Sequence, residues 1–172
     1  MLSKNIEQAL NIQVRIEAES SQTYLSMASW AETHGLEGIS RFMYAQSDEE
    51  RTHMLKLVKY INERGGHAKV SELKAPKISY ETFKEMFEEL YKHEIFVSDS
   101  INELVHLSFS EKDYATHNFL QWYVAEQIEE EAQAKLILDK INLIGDDKGG
   151  LYLFDRDIQQ MALNSSTSKD SK

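Results

Sequence analysis

The chain has 172 residues, a length suited to one domain with a sizeable core, and its single proline and seven glycines leave most of it free to be helical. It has no cysteine, which excludes disulfides and thiolate metal sites. Its 29 acidic against 19 basic residues give a formal charge of −10, which disfavours nucleic acid as a partner and favours cations.

No apolar run reaches the ~18 residues of a membrane span, and the amino terminus lacks the basic-then-apolar order of a signal peptide. The expectation is a cytoplasmic protein with neither membrane nor nucleic-acid partners. From about Ser3 to His34 a first amphipathic stretch places Leu10, Gln13, Glu17, Ser20, Tyr24, Met27 and Ala31 at alternating steps of three and four. That spacing is the inward seam of a bundled helix. His34-Gly35 breaks it, and a short turn leads to a second stretch from Ile39 to about Arg64. The second seam runs Ile39, Met43, Gln46, Glu50, His53, Leu57 and Tyr60. A short connection makes the two helices antiparallel neighbours, so Glu17, Glu50 and His53 are expected at one depth.

Residues 65–79 have no helical period and carry the proline, Pro76, with Ser79 as the expected N-cap of the third helix. A loop of that length spans roughly 50 Å when extended, enough to cross a bundle and set the third helix parallel to the second. The third seam, within about Tyr80 to Leu107, is Phe83, Phe87, Leu90, Glu94, Val97, Ile101 and Leu104. The fourth helix is expected from Ser110, through a Ser110-x-x-Asp113 capping box, to Gly145. Its seam is Thr116, Leu120, Tyr123, Gln127, Glu130, Ala134, Ile137 and Ile141, which puts Glu94 and Gln127 at one level. A short apolar fifth helix, Leu151 to Leu163, covers the bundle end or meets another subunit. The Ser/Lys/Asp-rich stretch 164–172 is expected to be disordered. The fold class is therefore all-α: a four-helix bundle with one long crossover between the second and third helices and a short fifth helix.

Four seams that should be apolar thus hold Glu17, Glu50 with His53, Glu94, and Gln127 with Glu130. Buried carboxylates at one level repel strongly unless cations neutralise them or some take up protons. An oxygen-rich, nitrogen-poor, sulfur-free set suits Fe(II), Fe(III) or Mn(II), with Zn(II) as a competitor. Glu50 is placed to bridge two ions. The ligand logic is that of the di-metal carboxylate bundles that serve as the general example of such sites.

Glu17, Tyr24, the block Glu50-Arg51-Thr52-His53, Glu94, and Glu126-Gln127-Ile128-Glu129-Glu130 together resemble the bacterial non-haem ferritins, over about residues 1–163. The resemblance implies a ferroxidase centre that oxidises Fe(II) with O2 or H2O2. One iron is then held by Glu17, Glu50 and His53, and the second by Glu50 and Glu94 with Gln127 nearby. It further implies a third iron position from Glu49, Glu126, Glu129 and Glu130, and a role for Tyr24 beside the centre as hydrogen-bond or electron donor. Assembly into a twenty-four-subunit shell storing ferric mineral is implied as well. Arg51 stands where bacterioferritins carry a haem-binding methionine, so no haem is expected. Two other readings stay open on the residues alone: a di-iron oxygenase with a pocket beside the metals, and a structural bundle whose polar layer binds no metal. Glu103-x-x-His106 straddles the seam on outer faces and is expected to be surface, as are His34, His67, His93 and His117.

Overall fold

The computed structural model describes the backbone of residues 1–169 and the side chains of residues 1–161. Five helices are present, in the order α1 Lys4–Thr33, α2 Glu37–Glu63, α3 Phe83–Ser110, α4 Tyr114–Ile144 and α5 Lys148–Lys169. There is no strand among the described residues. The fifth helix thus continues past Leu163, and the last three residues of the expected disordered stretch 164–172 lie outside the described residues.

Helix α1 pairs with α2 and α3 with α4, and the pairs meet along α1 and α3. Contacts at the ends fix the directions. Arg64, at the close of α2, bonds to Asp113, just before α4, and Tyr60 meets Thr116, so α2 and α4 run opposite ways. Ser3, ahead of α1, bonds to Glu111, at the close of α3, so α1 and α3 are also antiparallel. With short turns inside each pair, α3 must then run parallel to α2, and the segment between Glu63 and Phe83 crosses the length of the bundle. The expected single-crossover topology is the one observed.

The seams are inside as their periods require, apart from Tyr60 and Phe83, which are half-buried. Leu10, Met27 and Ala31 of α1, Ile39, Met43 and Leu57 of α2, Phe87, Val97 and Ile101 of α3, and Leu120, Ile137 and Ile141 of α4 are buried. They form two apolar clusters, one toward each end. The polar seam residues lie between the two.

Helix ends differ from the sequence expectation, for local reasons. Helix α3 starts at Phe83 because Thr82, and not Ser79, accepts from the Glu85 amide at 3.0 Å, while Glu85 reaches back to the Glu81 amide at 2.7 Å. Ser110 closes α3 and does not open α4: its hydroxyl donates to the His106 carbonyl at 2.8 Å. Lys112 turns the chain at φ 58°, and Asp113 caps α4 by accepting from the Thr116 amide at 3.1 Å.

Helix α2 has no side-chain cap of its own, since Leu36 precedes it. Asp155 of α5 supplies one: its carboxylate accepts from the amides of Gly38 at 3.1 Å and Ile39 at 2.9 Å. The approach requires glycine at position 38, where an added Cβ would stand 1.6 Å from the Asp155 carbonyl oxygen. Asp155→Ala is expected to lower stability by about 1 kcal/mol, the usual worth of a lost cap. Gly38→Ala is expected to cost more, because the whole helix must move away. Thermal unfolding of both variants, with limited proteolysis of α5, checks the order; equal midpoints for Gly38→Ala and the parent protein would contradict the close approach.

Candidate metal centre

The ionisable seam residues and Gln127 are buried: Glu17 and Glu94 are 1 % exposed, Glu50 and His53 2 %, Gln127 6 % and Glu130 7 %. Two antiparallel pairs bring them to one level, α1 and α2 from one side, α3 and α4 from the other. Their side chains divide into an inner group, a latched group and an outer group.

The inner group is Glu17, Glu50 and His53, whose potential ligand atoms lie within 4.8 Å of one another. His53 Nδ1 stands 3.2 Å from Glu50 Oε2 and 3.9 Å from Glu17 Oε2. The peptide of His53 is itself anchored, since the Tyr123 hydroxyl donates to its carbonyl at 2.8 Å. Gln13, one turn before Glu17, donates to Glu17 Oε1 at 2.8 Å and is oriented in turn by Ser100, which donates to Gln13 Oε1 at 2.6 Å. Glu17 Oε2 has no hydrogen-bond partner although it is fully buried. An unpaired buried carboxylate oxygen costs several kcal/mol unless a proton or a cation joins it.

Electrostatics lead to the same conclusion. Burial pushes the Glu17 carboxyl well above its usual range, and the Glu50 charge adds to the effect. Burial raises Glu50 too, with the Glu94 charge next in importance. Burial lowers the affinity of His53 for a second proton, which keeps its imidazole neutral and able to ligate. Without a cation, burial favours protons on these carboxyls.

Glu94, Tyr24 and Gln127 form the latched group. The Tyr24 hydroxyl donates to Glu94 Oε1, and Gln127 Nε2 donates to Glu94 Oε2 at 3.1 Å. Glu94 is thus level with the inner group while its oxygens are engaged elsewhere. Burial is the main cause of its raised pKa, and these two donors oppose the rise. Glu130 accepts from Gln46 at 3.1 Å, and burial with the Glu94 charge pushes it up to about 8.

The outer group is Glu49, His53 and Glu126, again with potential ligand atoms within 4.8 Å, and His53 Nε2 is 3.8 Å from Glu49 Oε1. His53 therefore faces both groups, one ring nitrogen to each. Glu129 is exposed and adds its charge to the surroundings of Glu130. Trp122 meets the His53 ring edge-on at 5.2 Å.

Two histidines expected at the surface, His93 and His117, are half-buried; the His117 ring lies 6.0 Å from that of Phe109. His93 has Nε2 2.7 Å from the Ser20 hydroxyl and its ring edge-on to Tyr24 at 5.9 Å. Its position off the α3 seam concealed this, because it turns toward α1 and not toward the bundle axis. Gln13 and Gln46 lay on the seams, but their roles as donors to Glu17 and Glu130 required the structure.

The ferritin-like domain family model matches residues 7–144. The chain is 45 % identical over 162 residues to a non-heme ferritin-like protein of Haemophilus influenzae, covering 94 % of this chain and 98 % of that one. It is 44 % identical over 164 residues to a bacterial non-heme ferritin of Campylobacter jejuni, covering 95 % and 98 %. Its fold is similar to that of the open pore ferritin from the archaeon Archaeoglobus fulgidus, with a TM-score of 0.91, 43 % identity, and coverage of 92 % of this chain and 98 % of that chain.

Proposed function

The chain belongs to the ferritin family, and from that premise we propose that it stores iron, taking Fe(II) as substrate at the Glu17–Glu50–His53–Glu94 layer and oxidising it there. The observation that carries this reading is the fully buried, partnerless Glu17 oxygen beside Glu50 and His53. Those residues fit ferrous iron: two carboxylates and a neutral imidazole, hard and borderline donors with no sulfur.

In the proposed reaction two Fe(II) each give up one electron, and O2 takes both with two protons to leave as H2O2; peroxide itself can serve as oxidant in a second round. Glu17, Glu50 and His53 receive the first ion. Glu94 receives the second with Glu50, the Tyr24 hydroxyl on Oε1 orienting the carboxylate while the Gln127 amide gives way at Oε2. Protons held by the layer leave as the ions enter. Glu49, Glu126, Glu129 and Glu130 form a third iron position. The Fe(III) product passes to the cavity of a cytoplasmic twenty-four-subunit shell, and no haem takes part.

Native sizing with Fe(II) addition in air tests the whole reading. The expected results are a shell of twenty-four 19.9-kDa chains and ferric absorbance that keeps growing far beyond two irons per chain. A small oligomer, or uptake that stops near two, would sink it; the latter is what an oxygenase would give. The oxygenase reading also needs space for an organic substrate, and Tyr24, Met43, Leu90 and Tyr123, at most 4 % exposed, occupy the core around the layer. Tyr24→Phe is expected to slow rapid oxidation by about tenfold, the order seen when a ligand's hydrogen-bond partner is lost, with shell size unchanged. Stopped-flow absorbance measures this, and a rate equal to that of the parent removes the tyrosine from the mechanism.

A further inference from the structure

Lys56 stands one helical turn beyond His53 on α2, facing α4. Its ammonium lies 3.5 Å above the centroid of the Trp122 ring. Trp122 is one turn before Glu126 on α4 and meets His53 edge-on at 5.2 Å, with an interplanar angle of 82°. The charge is thus held where α2 and α4 meet, beside two of the three members of the outer group.

A lysine on a helix surface ordinarily keeps its ammonium in water and samples many rotamers. Here the indole face fixes it, an interaction typically worth ~0.5–2 kcal/mol. Partial burial lowers the affinity of Lys56 for its proton, and the Glu126 charge works against that loss. The Lys56 charge in turn opposes protonation of His53. Its field therefore reaches both the carboxylate and the imidazole of the outer group. An ammonium has three donors and no acceptor, so it cannot join a metal's ligands while charged. The inner carboxylates differ, since Lys56 is not among the leading electrostatic neighbours of Glu17 or Glu50.

We propose that Lys56 is a built-in competitor for divalent cations at the Glu49–His53–Glu126 group, so that this position passes iron onward and does not retain it. The inference rests on the proposed third iron position, to which Glu49 and Glu126 of this group belong. A fixed positive charge neutralises part of the attraction of Glu126 for a dication and adds repulsion once the ion arrives. Affinity there is reduced more than at the inner group, because Glu17 and Glu50 face Nδ1 of the shared His53 ring while Lys56 acts on Glu126 directly. An ion that binds weakly leaves quickly, and a weak outer position beside a tight inner one directs traffic without blocking it.

The test is an anaerobic Fe(II) titration of the assembled protein by calorimetry, comparing the parent with Lys56→Gln, Lys56→Arg and Glu126→Ala. Lys56→Gln is expected to tighten the outer class of ions by about tenfold, the scale of one charge in a partly screened setting, and to change the inner classes much less. Lys56→Arg keeps both charge and stacking and is expected to match the parent. Glu126→Ala is expected to abolish the outer class. Unchanged outer affinity in Lys56→Gln, with the outer class still lost in Glu126→Ala, overturns the role of Lys56 alone. Equal tightening by Gln and Arg overturns it as well, since packing and not charge would then be responsible. An isotherm that Glu126→Ala leaves unaltered overturns the third iron position itself, and the competitor with it.

Discussion

Replacing Glu50 by alanine is expected to reduce the initial rate of Fe(II) oxidation at least ~100-fold while leaving the assembled protein intact. Loss of a group that merely orients a ligand commonly costs 10–100-fold, and Glu50 is more central than that. It lies 3.2 Å from His53 Nδ1, stands in the inner group with Glu17, and carries the charge that bears on Glu17. It is also the carboxylate proposed to serve both ions. Ferric mineral should still form slowly, because oxidation in the cavity does not need this layer. His53→Ala should behave in the same way, whereas Glu103→Ala, at an exposed position outside the seam, should not. Stopped-flow absorbance after mixing with Fe(II) reads the difference. A parental rate in the Glu50 variant would falsify the placement of the oxidation site. Native sizing of the variant beside the rate measurement separates lost activity from unfolding.

The second large effect is on stability against pH. Glu17, Glu50, Glu94 and Glu130 all hold protons more tightly in the folded protein than when exposed, chiefly through burial. On unfolding, each returns to an ordinary carboxyl and releases its proton more readily. The stabilising contribution is therefore complete below about pH 4.5 and declines as pH rises through the folded value, about 8 for Glu130. At pH 7 Glu130 alone accounts for a loss on the order of 3 kcal/mol. Metal-free protein should lose thermal stability steadily between about pH 5 and pH 8. Saturating Zn(II) or Fe(II) should flatten the profile, because an ion bound only by the folded state takes over the neutralisation. Calorimetric scans across that range check both statements; a level metal-free profile would mean that these carboxyls ionise freely.

The bundle and its polar level were readable from spacing because steps of three and four persist even where the seam residue is polar. Every residue of the α4 seam from Thr116 to Ile141 is buried. Helix ends were harder, since several nearby side chains could cap equally well and only the fold selects among them. Thr82-x-x-Glu85 was present in the sequence and stronger than Ser79, whereas the role of Ser110 depended on how far α3 continued. Spacing gives the level of a side chain but not its rotamer. Glu94 could thus be placed beside Glu50, while its engagement by Tyr24 and Gln127 could not be foreseen. The ammonium of Lys56 over Trp122 belongs to the same class, as does the turn of His93 toward Ser20.

The bond between Asp155 and the start of α2 spans 117 positions of the chain. During synthesis, α1 and α2 therefore emerge with two amides at their joint satisfied by water alone, and they stay so until residue 155 has left the ribosome. The early hairpin is poised rather than finished. The carboxylate that completes it arrives on the helix after α4, which ties maturation of the first half of the polypeptide to delivery of the second.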